Sequence, residues 1–184
     1  MIIAVGAFAL VLLLVAVLIV VIYNGLVRKR NAVENAWAQV DVQLKRRHDL
    51  VPNLVEVVRG YAGHERQTLT AVTAARAQAL GAHGLAEQAS AENALTGALK
   101  TLFAVTESYP DLKASQNFAE LQEELATTEN RIAYSRQYYN DAVLTYSNAI
   151  QTVPANIVAG MGGFTAREYF QAPGEERGPV QVRF

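Results

Sequence analysis

Cysteine is absent from this chain, which removes disulfides, thiolate nucleophiles and Fe–S or cysteine-zinc sites together. A strong excess of charge of either sign is also lacking: the formal net charge is −1, which leaves no electrostatic footprint for nucleic acid. Catalytic signatures fail on inspection. His64-Glu65 begins like a zinc-protease H-E-x-x-H, but Thr68 stands where the second histidine belongs. Glu-x-x-His, the di-metal bundle signature, occurs nowhere, and His48, His64 and His83 are dispersed. Gly160-Met161-Gly162-Gly163 matches neither the dinucleotide nor the phosphate-loop glycine pattern and reads as a mobile loop. No nucleophile-elbow context is present. The sequence therefore implies no cofactor, no metal and no catalytic residues.

What is present is a long hydrophobic run. Ile2 to Ile22 carries no charge and no proline, and at 1.5 Å per residue it spans about 30 Å, the thickness of a hydrocarbon core. Tyr23 follows at interfacial depth, and then Arg28, Lys29 and Arg30. A cleaved signal peptide would place its basic residues first and a small-x-small site before Tyr23; neither is found, so a retained anchor is expected. The basic triplet predicts that the C-terminal bulk is cytoplasmic and the short N-terminus faces out.

Beyond the anchor the pattern is helical. Val33, Trp37, Val40 and Leu44 alternate by four and three on one face. The phase continues through Val51, Leu54, Val58 and Tyr61, so one helix kinked at Pro52 is possible. A turn near Arg47–Asp49 is preferred, with Asp49 as N-cap and Pro52 in a new first turn, because an interior proline costs about 3 kcal/mol. Gly60 and Gly63 mark a weaker break. A helix to about Leu80 ends at Gly81–Gly84, and a third places Leu95, Leu99 and Leu102 on one face before Tyr109-Pro110. The last and clearest repeats from Phe118 through Leu125, Ile132, Tyr139 and Tyr146 to Val153, where Pro154 closes it.

The expected fold is all-α: an N-terminal transmembrane helix over 1–23, an up-and-down four-helix bundle over 24–153, and an irregular, extended C-terminal tail over 154–184. Were Pro52 only a kink, three helices would remain and the Trp37 stripe would need a second copy to cover it. In the tail, Ile157 to Phe164 is apolar and without period, and Val180, Val182 and Phe184 alternate like one strand able to dock or to join a partner's edge.

Asp41, Arg46, Arg47, Asp49 and Asn53, with Glu129, Asn130, Arg131, Arg136 and Asn140, are read as a polar network fixing how the helices meet, roughly half of them merely solvated. Trp37, Tyr134, Tyr138, Val180, Val182 and Phe184 are candidate interface residues.

Trp37-Ala-Gln-Val-Asp-Val-Gln-Leu-Lys-Arg-Arg-His-Asp-Leu-Val-Pro-Asn-Leu-Val, then Gly60-Tyr61 and His64-Glu65, resembles the LemA family. So do Glu107-x-Tyr109-Pro110, Thr128 to Ala133 with Arg136 and Tyr139-Asn140, and Glu168-Tyr169-Phe170. The likeness covers essentially the whole chain, with one departure: serine replaces the usual asparagine of the pair at Tyr146-Ser147. It implies a single-pass protein of the bacterial inner membrane with an up-and-down helical bundle and no established enzymatic activity. A magnetosome-associated relative points by analogy to membrane organisation. Together these readings favour a membrane-anchored scaffold that binds lipid bilayer and protein partners, itself included, and no nucleic acid. The alternative is a membrane-remodelling or lipid-interacting protein; an enzyme comes third.

Overall fold

The computed structural model describes residues 2–170, so Val180, Val182 and Phe184 lie outside the described residues. Among those residues there are six α-helices and no strand: α1 (Ile2–Tyr61), α2 (Arg66–Gly81), α3 (Leu85–Thr106), α4 (Pro110–Lys113), α5 (Gln116–Gln151) and α6 (Ala155–Met161). They group into two units, one of residues 2–38 with 137–168 and one of residues 39–136 with 169–170.

The second unit is the bundle. Its four long helices are the C-terminal part of α1, then α2, α3 and the N-terminal part of α5, with the short α4 between the last two. The turn after α1 and the turn after α3 lie at one end, where the Tyr109 hydroxyl donates to Glu65 Oε1 at 2.8 Å. Successive helices therefore alternate in direction. The core takes Leu54 and Val58 from α1, Val72 from α2, Leu95 and Leu102 from α3, Leu112 from α4, and Phe118 and Leu125 from α5, all buried. Each large aliphatic side chain buried this way contributes about 1.5–3 kcal/mol.

One expectation needs correction. α1 runs without a break through Asp49 and Pro52, and the chain turns only at Ala62–Glu65, beside Gly60 and Gly63. Asp49 is an exposed residue inside a helix, not a cap. The physical reason lies at the carbonyl one turn before the proline. Pro52 has no N–H to offer the His48 carbonyl oxygen, and Arg76 Nε on α2 donates to it instead at 2.7 Å. The interior proline thus leaves no orphaned acceptor at that point. Four bundle helices remain because the break at Ala62–Glu65 still separates α2 from α1.

The first unit holds α1 up to Ala38, the C-terminal part of α5, and α6. From Ile3 to Val21 every side chain of α1 is exposed, and this stretch is long and apolar enough to cross a membrane. Further along α1, Leu26, Val33 and Ala36 are buried with Tyr139, Val143 and Tyr146 of α5. Trp37 packs edge-on against Tyr139, ring centroids 5.4 Å apart. The Trp37 stripe is thus covered within this unit, by the same chain.

The tail also differs from expectation over its described part. Residues 155–161 form α6, which buries Val158 and Ala159, so Gly160 and Met161 are helical and not loop. After a turn at Gly162 and Gly163 the chain continues as an extended strap.

Candidate functional site

Arg47 lies in phase with the apolar stripe of α1, so folding carries its guanidinium into the bundle interior, where it is fully buried. A bare buried charge would cost several kcal/mol, and the surrounding helices answer it. Its Nη2 binds Glu92 Oε2 on α3 and also donates to the Glu92 carbonyl at 3.3 Å. Its Nη1 donates to Thr96 Oγ1 at 2.8 Å and to Glu129 Oε1 on α5 at 2.6 Å. Glu92 is fully buried as well, whereas Glu129 keeps a third of its side-chain surface exposed. His48 completes the cluster: its Nε2 lies 2.9 Å from Glu92 Oε1, within ion-pair range but not aligned as a hydrogen bond.

Burial by itself would push the Glu92 carboxyl up. His48 and Arg47, through contact and charge together, outweigh burial and hold it below the usual carboxylate range. The cluster therefore joins α1 to α3 through an ion pair sealed from solvent, and to α5 through the partly exposed Glu129. Neither Arg47 nor Glu92 has an exposed face, and the pair holds α1 against α3 as a clamp.

The network read from the sequence is brought together only in part. Arg47 and Glu129 meet as described. Arg46 turns outward and pairs with Glu124. Arg136 donates to Asn93 Oδ1 at 3.2 Å and stands over the Phe170 ring at 4.4 Å. Asn140 is half-buried on α5. Asp41, Asp49, Asn53, Asn130 and Arg131 are exposed and outside the cluster. Glu92, Thr96 and His48 were missed, yet Glu92 carried a signal: it falls one turn before Leu95 in the Leu95–Leu99–Leu102 stripe.

A second polar arrangement lies in the other unit. The Tyr146 hydroxyl donates to the Thr165 carbonyl at 3.0 Å, and the Tyr139 hydroxyl to the Glu168 carbonyl at 2.9 Å. The two phenols pin the strap by its main chain. Burial raises the Tyr139 pKa; the charge of Arg167 opposes the rise and that of Glu168 adds to it. Phe164 anchors the strap's start, its ring 5.4 Å from Tyr23 and under Arg30. Of the expected interface residues, Trp37 is spent on Tyr139, while Tyr134 and Tyr138 are 74% and 51% exposed on α5.

Among proteins of known name, the chain is similar to Protein LemA of Metamycoplasma hominis, with 28% identity over 86% of this chain and 73% of that one. It is also similar to Magnetosome protein MamQ 2 of Paramagnetospirillum magneticum, 26% identical over 81% of this chain. Magnetosome protein MamQ of Magnetospirillum gryphiswaldense is 25% identical over 80% of it. The matches span 64% of the length of these two magnetosome proteins. The family model for the LemA family matches residues 36–184, which takes in the bundle, the buried clamp and the strap: the chain belongs to the LemA family.

Proposed function

We propose that this protein is a non-catalytic, membrane-anchored scaffold or adaptor whose helical bundle presents a surface to protein partners, a second copy included. One observation carries the reading. The interior charges are consumed by one another in the Arg47–Glu92 clamp, while a large aromatic side chain, Tyr134, stands 74% exposed on the outside. Tyrosine offers wide contact area with few rotamers to freeze, which suits an interface. The magnetosome relatives are named for a cellular structure and not for a reaction, which supports a structural role. The triplet Arg28, Lys29 and Arg30 supports an orientation with the bundle in the cytoplasm of a bacterial cell and the N-terminus outside the inner membrane.

The test is photocrosslinking in the native membrane, with a benzophenone amino acid at position 134 and a control at Glu123, also exposed on α5. Discrete adducts at 134 and none at 123 are expected. Identical patterns at both positions, with the purified full chain strictly monomeric in detergent, overturn the reading. A second reading, direct lipid contact by the C-terminal apolar segment, is favoured by the exposed side chains of α6.

A further inference from the structure

α6 is two-faced. Val158 and Ala159 are buried in its own unit, whereas Val153 just before it, and Ile157 and Met161 within it, are 79%, 62% and 81% exposed. Ile157 and Met161, one turn apart, share a face. The place of this face along α1 is fixed by contacts at the helix's C-terminal end. A Cβ on Gly162 would lie 2.6 Å from the Phe164 ring and 3.2 Å from the Tyr23 ring, so only glycine allows the chain to press this close. Gly163 then takes φ +67, a left-handed conformation that turns the chain into the strap. Phe164 sits edge-on to Tyr23, and the Arg30 guanidinium stands over the Phe164 ring at 5.4 Å.

Tyr23 is the level at which α1 leaves its exposed apolar stretch and approaches its first charges, Arg28, Lys29 and Arg30. The C-terminal end of α6 is therefore held beside α1 at the level where the exposed apolar stretch of α1 ends. The charge pattern agrees. No charged residue occurs between Asp141 and Arg167, and the charges nearest Tyr23 along α1 are all cationic. An apolar face beside cationic side chains fits the boundary between acyl chains and phosphate headgroups.

We propose that α6 is an interfacial membrane element: Val153, Ile157 and Met161 rest in the headgroup–acyl boundary of the bilayer that α1 crosses. This rests on α1 being a span, and deepens the lipid-contact reading. The absence of native cysteine makes the test direct. Single variants Val15→Cys, Ile157→Cys, Met161→Cys and Ala126→Cys of the full chain are spin-labelled in nanodiscs of phosphatidylglycerol and phosphatidylethanolamine. Collision with oxygen is compared with collision with a water-soluble nickel chelate. All four sites are exposed, so the labels leave the cores intact.

At 157 and 161 the oxygen-to-nickel ratio is expected to exceed that at 126 several-fold and to fall below that at 15. Ratios at 157 and 161 equal to that at 126, with 15 still oxygen-rich, overturn the proposal and leave the span intact. An aqueous label at 15 overturns the span and the proposal together. Labels at 157 and 161 shielded from both reagents and broadened by a neighbouring label mean that a second copy covers the face, which also overturns it.

Discussion

Arg47 on α1 and Glu92 on α3 form an ion pair in which neither side chain keeps any solvent exposure. Such a pair returns little net stability against two neutral residues, because desolvation offsets the attraction, but losing one partner strands the other. Glu92→Ala is expected to cost about 3–5 kcal/mol, toward the lower end because Glu129 and Thr96 still hold Arg47. Urea unfolding of the full chain in detergent measures it. Arg47→Met with Glu92→Leu should recover most of the loss; a loss as large as the sum of the single changes would show that the clamp is not a unit.

Acid should release the same clamp. The Glu92 pKa is lowered in the folded state, so the folded protein binds fewer protons than the unfolded chain near the ordinary carboxylate value of 4.5. Its contribution is complete above that value and is lost as pH falls through the folded pKa. Urea midpoints between pH 7 and pH 3 should fall more steeply for the native protein than for Glu92→Gln. Parallel curves would place the acid sensitivity elsewhere.

Pro52 and Arg76 should be coupled. Arg76→Ala removes the donor to the His48 carbonyl that proline cannot supply, and a cost of about 1–2 kcal/mol is expected. In a Pro52→Ala background the alanine N–H takes that place, so the same change should cost less than half as much. Pro52→Ala alone should raise the urea midpoint, because an exposed proline inside a helix is replaced by the best helix former. Equal Arg76→Ala costs in both backgrounds would refute the compensation.

The strap should loosen when its phenols lose their hydroxyls. Tyr139→Phe and Tyr146→Phe each remove one hydrogen bond to a main-chain carbonyl, about 0.5–1.5 kcal/mol apiece. Thr165 and Glu168 are exposed, so water can replace the lost donor and the lower figure is expected. Faster amide exchange across residues 164–168 in the double variant, with the α3 amides unchanged, is the readout.

Much of this architecture was legible because helical stripes are periodic. α3 and α5 fall where the repeats of Leu95–Leu99–Leu102 and Phe118–Tyr146 place them. The path through Pro52 was not legible, since its compensation comes from a side chain on another helix, and no local pattern announces Arg76 as the donor. Glu92 was readable in principle, as an acid in phase with leucines must find a partner inside. α6 was hidden because a helix this short has too few positions to establish a period, and its glycines suggest a loop. The strap was hidden for another reason: its recognition lies in peptide carbonyls, which every residue has.

That last feature bears on how the protein can vary. Because Tyr139 and Tyr146 grasp backbone oxygens, they are indifferent to which amino acids supply them. Positions 165 and 168 are therefore open to substitution, whereas each of the two tyrosines that hold them contributes a hydroxyl that the strap needs. Single reporter residues placed at Thr165 or Ala166 should ride on the intact fold, offering a handle on the strap that leaves every packed side chain in place.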